Sequence, residues 1–256
     1  DLLIDGAKGI VDNASGLILS GKALTLNAID FINNNTLDDN KGLEAQQITL
    51  NTGTLSNQRG VILASDALTI HNASELNNSE GALAATGLLD VGGDKLNMIN
   101  RDGTLKAGKT LHVDADTLDG SGQLLSLGDM DLHSTNAFNN SGSTIANGTL
   151  TLATQGDITN SGKLLAGQAL NVQSANLTNE DNGEINAGRN TLNTTGTLIN
   201  RGLIDGGYTR INANTLTNIG SGRIYGDAVS VNAATFNNLE ENGSAATLGG
   251  RERVDL

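Results

Sequence analysis

One phrase, returning along the whole chain, constrains what this sequence can fold into. It reads apolar, any residue, Asn, with Gly two to four residues further on. Leu55-Ser56-Asn57 with Gly60, Leu76-Asn77-Asn78 with Gly81, and Phe138-Asn139-Asn140 with Gly142 are three copies. Ile158-Thr159-Asn160, Leu177-Thr178-Asn179, Leu198-Ile199-Asn200 and Leu216-Thr217-Asn218 continue it, and Phe236-Asn237-Asn238 with Gly243 is the last and loosest. Val11-Asp12-Asn13, Phe31-Ile32-Asn33 and Met98-Ile99-Asn100 are copies too, whereas Leu118-Asp119-Gly120 carries Gly in place of Asn. The spacing averages about 20 residues, in the range of solenoids, whose repeats bury their apolar faces only by stacking.

A second phrase lies between these anchors. Ile18-Leu19-Ser20 leads through a short turn to Leu24-Thr25-Leu26, and Ile62-Leu63-Ala64 leads to Leu68-Thr69-Ile70. Leu105-Lys106-Ala107 and Leu164-Leu165-Ala166 lead in the same way to Leu111-His112-Val113 and Leu170-Asn171-Val172. Each phrase alternates with period two, so its apolar residues share one face of a strand. Every repeat therefore offers three short strands separated by the bend-forming residues Gly, Asn, Asp, Ser and Thr. No window holds a helical apolar period, so helices should be rare. Coiling turns all three apolar faces inward, and each strand pairs with its equivalent one coil further on, satisfying the backbone. The expected fold is all-β, a parallel β-helix solenoid of about twelve rungs of roughly 20 residues, with residues 1–256 as a single repeat segment.

Identical positions then stack. The small residue after each Ile or Leu sits where a corner narrows. The recurrent Asn forms a structural ladder: Asn13, Asn33, Asn57, Asn78, Asn100, Asn140, Asn160, Asn179, Asn200, Asn218 and Asn238. Composition agrees. Hydrophobic residues make up 37% but aromatics only 2%, so thin aliphatic layers must supply the core. Proline, which would remove a ladder donor, is absent. The chain opens on Leu2-Leu3-Ile4 and closes on Val254-Asp255-Leu256, both in the phase of the second phrase. It thus starts and stops in mid-coil, and the expectation is an internal segment of a longer array, since solenoids need capped ends.

The net charge of −13 argues against nucleic acid, which demands clustered Lys and Arg. No run is long and apolar enough for membrane insertion, and Asp1–Asn13 does not read as a signal peptide. Absence of Cys excludes thiolate metal sites and disulfides. Carbohydrate-cleaving chemistry would want paired carboxylates with Arg, Lys or His on one outer face, and exposed aromatics for the sugar. The three Phe fall on core positions, and the two tyrosines, Tyr208 and Tyr225, about one rung apart, offer at most a small stacked patch. His71, His112 and His133 belong to different rungs and are not expected to converge on a metal. Gly92-Gly93-Asp94 is an isolated fragment of a calcium repeat, and triplets such as Asn72-Ala73-Ser74 arise by chance in so Asn-rich a chain. No catalytic residue, metal ligand or cofactor is expected, and the chain does not read as an enzyme. The one irregularity is a longer linker, Asn34, Asn35, Thr36, Leu37, Asp38, Asp39, Asn40 and Lys41, a candidate binding loop because solenoid insertions leave on one face.

The repeats resemble the haemagglutinin repeats of filamentous-haemagglutinin-like exoproteins of two-partner secretion, among them adhesins and contact-dependent growth-inhibition toxins. The cleanest run is Gly162-Lys163-Leu164-Leu165-Ala166-Gly167 through Leu170-Asn171-Val172 to Leu177-Thr178-Asn179. The resemblance implies a right-handed parallel β-helix, acting as a stalk segment in a filament secreted to the surface of a Gram-negative cell. It implies an outer-membrane secretion partner for the parent protein and a receptor on a target cell. The family's amino-terminal secretion domain and carboxy-terminal effector are not seen in this sequence, so no toxin activity carries over. Two other readings stand beside the stalk: a receptor-binding segment of the same filament, and a polysaccharide-degrading β-helix.

Overall fold

The structure, a computed structural model, describes residues 1–38, 40–71, 74–93 and 95–256, except the side chains of Ala7 and Lys8. Among the described residues there are strands, turns and bends but no helix. The pairings form a parallel β-solenoid of about 12 turns with rungs about 20 residues apart. The chain divides into two compact units, Asp1–His133 and Ser134–Leu256.

In the first unit, Leu2–Asp12 pairs in parallel with Ala23–Ile32, which pairs with Gly42–Ser56. Gly42–Ser56 pairs in turn with Val61–His71 and Glu75–Asn77. The register is set by the apolar phrases. Leu24, Ile48, Leu68, Leu89 and Leu111 follow one another rung by rung, as do Leu43, Ile62, Leu83, Leu105 and Leu124. All ten are buried. Phe31, Leu55, Leu76 and Met98 fill the third side. A fully buried aliphatic stabilises by on the order of 1.5–3 kcal/mol, and here every rung repeats the same few.

The second unit follows the same plan. Phe138, Ile158, Leu177, Leu198 and Leu216 stack in one column and Leu152, Val172, Leu192, Ile211 and Val231 in another. One column changes character. Leu150 and Leu170 give way to Asn190 and Thr209, both fully buried, before Val229 restores the aliphatic. Asn190 Nδ2 donates to the Asp205 carbonyl at 2.6 Å, and Thr209 Oγ1 donates to the Tyr225 carbonyl at 2.9 Å. An antiparallel pairing, Glu240–Glu241 with Ser244–Ala245, departs from the parallel plan where the repeat is loosest. Asn242 and Gly243, at φ 51° and 79°, turn the chain there.

Three separate strands per rung occur cleanly at Thr104–Ala107, Thr110–Ala115 and Thr117–Gly120. Elsewhere they fuse, as in Leu203–Ile219 and Arg223–Glu241. Rung-to-rung hydrogen bonds there carry on around the corners, with a shift of register absorbing the bend, as between Gly226 and Ala228.

Candidate functional site

At most rungs the Asn of the recurring phrase points inward at a corner. Asn13 Nδ2 donates to Asn33 Oδ1 at 2.8 Å, Asn33 to Asn57 at 2.8 Å, Asn57 to Asn78 at 2.7 Å and Asn78 to Asn100 at 2.8 Å. At the next rung Gly120 offers no amide, and Asn100 Nδ2 keeps the bond to the Gln123 carbonyl at 3.4 Å, equivalent to that of Asn78 Nδ2 to Thr104. In the second unit the chain of amides runs Asn140, Asn160, Asn179, Asn200, Asn218 and Asn238, each donating to the next at 2.7–2.9 Å. Ten of the eleven are buried, and Asn238 is exposed. The amides also donate to backbone carbonyls of the following turn, for example Asn179 Nδ2 to Gly183 and Leu203 at 3.2 Å. At several rungs the glycine after the Asn is required by close approach. A Cβ at Gly81, Gly103 or Gly222 would collide with the carbonyl of the ladder Asn one rung back and with its own rung's amide oxygen.

The 34–41 segment is held down at its start. The Asn34 side chain accepts from Ser56 Oγ and from the Gln58 backbone, both at 2.9 Å. Thr36 is fully buried, donating to the Asn33 carbonyl and accepting from Val61 N–H, both at 3.0 Å. Past Thr36 the segment is open: Leu37 is 54% exposed, and Lys41 pairs with Asp38 at 3.2 Å. Asp39 lies outside the described residues, as do Asp94 of the calcium-like fragment and the Asn72-Ala73 of the chance triplet.

The outward histidines pair across rungs. His112 Nδ1 lies 2.7 Å from Asp90 Oδ1, and His133 Nδ1 lies 2.7 Å from Asp114 Oδ1. Among the described residues no three His, Cys, Asp or Glu side chains are grouped to hold a metal. The small tyrosine patch that the spacing allowed is not formed by the register. Tyr208 pairs with Arg189 and Ala228, whereas Tyr225 pairs with Gly249. They belong to different strand phases, and Tyr208 instead takes the Arg189 guanidinium over its ring at 5.3 Å.

One surface in the first unit escaped the sequence reading. The middle residue of the Ile-x-Ala phrase faces outward, and Leu19, Glu44, Leu63, Ala84, Lys106 and Leu125 form one column. All of these but Leu125 border a shallow groove with Leu127 at its end. Leu19 and Leu127 are 61% and 60% exposed. The signal was present in the sequence: leucine at positions where alternation calls for a polar residue.

A family model described as the haemagglutinin repeat matches the chain at residues 4–53, 43–109, 95–127, 107–162 and 154–250. The chain belongs to the haemagglutinin-repeat family. No curated protein and no solved structure matches it. The successive matches overlap, and the buried amides and the groove both lie on haemagglutinin repeats. This is a structural, adhesin-type family whose members are generally secreted or cell-surface proteins.

Proposed function

We propose that the chain is a stalk segment of a large filament displayed on a Gram-negative cell, holding other parts of the parent protein away from the surface for adhesion or contact-dependent toxin delivery. One observation carries this reading: haemagglutinin repeats succeed one another from residue 4 to residue 250. A segment in which every rung resembles its neighbours is suited to setting a length. On this reading the segment does no chemistry and needs no cofactor. The parent filament reaches the surface through an outer-membrane secretion partner, unfolded, and folds rung upon rung outside. A chain without cysteine suits that route, because no disulfide can trap it on the way.

The second reading, a receptor-binding segment, is favoured by the later half of the 34–41 segment, where the side chains of Leu37 and Asp38 are exposed. Binding of the fluorescently labelled chain to bacterial and epithelial cells, competed with unlabelled chain, separates the two. A stalk gives no saturable binding. Saturable, competable binding that disappears when residues 37–41 are shortened overturns the stalk reading in favour of recognition. Release of reducing ends from polysaccharides by the purified chain would revive the carbohydrate-cleaving reading.

A further inference from the structure

We infer that the outward column Leu19, Glu44, Leu63, Ala84, Lys106, Leu125 is a docking face for a second copy of this chain, the two packing side by side with their rung orders reversed. Read from either end, the column is apolar, charged, apolar, apolar, charged, apolar, and the two charges are of opposite sign. A twofold axis lying between the two faces, along the strands and midway between the Leu63 and Ala84 rungs, reverses the rung order. It sets Glu44 of one copy against Lys106 of the other, twice. It sets Leu63 against Ala84, and Leu19 against Leu125. A twofold interface must be complementary to itself in this way.

The surroundings support the same occupant. The adjacent column, Leu17, Gly42, Val61, Ala82, Thr104 and Gln123, carries no charge. With a net charge of −13, two copies repel through most of their surfaces, and this face balances one acid with one base. Among the described residues neither Glu44 nor Lys106 makes an ion pair within the chain, although Lys41, Arg59, Arg201, Arg251 and Arg253 do. Exposed Leu19, Leu63 and Leu127 supply apolar area, and Ala82 and Ala84 allow close approach at the centre. Six rungs at about 4.8 Å make a face shorter than those of obligate dimers, so the association is of modest strength.

Sedimentation equilibrium of the intact chain over about 1 µM to 1 mM tests it. The wild type should show a monomer–dimer equilibrium. Glu44→Lys and Lys106→Glu, each of which places like charges together, should weaken it by at least about tenfold, and the double exchange should restore it. Both positions face solvent, and circular dichroism checks that the variants stay folded. As a second reading, Glu44→Cys chains mixed with Lys106→Cys chains should form a disulfide dimer that neither forms alone, since the wild-type chain has no Cys. A wild type that stays monomeric throughout overturns the inference. So does a dimer indifferent to the single exchanges, or a double exchange that fails to recover it.

Discussion

At the scale of a residue, the ladder asparagine is the most demanding position in the molecule. Asn179 accepts from Asn160 Nδ2 through its oxygen and donates to Asn200 Oδ1 through its nitrogen, both at 2.8 Å. A primary amide does both through separate atoms and still donates to the Gly183 and Leu203 carbonyls, so it must keep one orientation along the whole run. Exchange of nitrogen for oxygen, Asn179→Asp, leaves the shape unchanged and sets acceptor against acceptor at Asn200 and at the Gly183 and Leu203 carbonyls. At neutral pH it also buries an unpaired charge, so the loss should be about 3 kcal/mol or more. Burial holds such a carboxyl above its usual value of about 3.9. The destabilisation is therefore complete at neutral pH and shrinks as pH falls and the group is protonated. The same change at exposed Asn238 should cost far less. Urea denaturation of both variants against wild type, at pH 7 and near pH 4, measures this. Equal losses at the two sites would mean that the buried amides contribute nothing particular.

At the scale of the strand and its corner, the apolar alternation was legible because each phrase has a single way to face inward. Leu24-Thr25-Leu26 and Leu68-Thr69-Ile70 specify their register without help from elsewhere. Asn190 and Thr209 were not legible as core, since polarity marks a residue as outward until the stacking over Leu170 is known. Nor could the sequence show that Tyr208 and Tyr225 fall in different strand phases, which depends on where each rung turns. Glu241 was equally hidden, lying 40 residues from its partner. Arg201 donates from Nε and Nη2 to the two Glu241 oxygens at 3.0 and 3.2 Å. These bonds hold the Glu241 carboxyl below the usual range and raise Arg201. A depressed carboxyl stabilises the fold above the unfolded value of about 4.3, and that stability is lost as pH falls through the folded value. Arg201→Gln should therefore be less stable than wild type at neutral pH, with the two denaturation midpoints converging below about pH 4. Midpoints that stay apart at acid pH would assign the effect to packing by the Arg stem.

At the scale of the molecule, stability in a solenoid is a sum over rungs and the interfaces between them, so a whole rung is the natural unit of change. The second unit allows a direct test. Deleting Ser161–Asn179 joins Asn160 to Glu180, and the sequence at the junction, Asn-Glu-Asp-Asn-Gly, is the one that follows Asn179. Asn160 then meets Asn200 as its next amide, Ile158 stacks on Leu198, and Leu152 stacks on Leu192. Every column is preserved with one layer fewer. The variant should keep its β-sheet circular dichroism and unfold cooperatively, with Tm lower by about 2–4 °C for each kcal/mol the lost rung supplied. Deleting only Ser161–Ala169 removes one side of the coil. It leaves Leu170-Asn171-Val172 directly after Asn160, so that strand cannot lie beside both Leu150-Thr151-Leu152 and Asn190-Thr191-Leu192. The shorter deletion should thus be the more damaging of the two, with cooperative unfolding lost. A half-rung variant as stable as the whole-rung one would mean that the repeat is not the unit in which this chain folds.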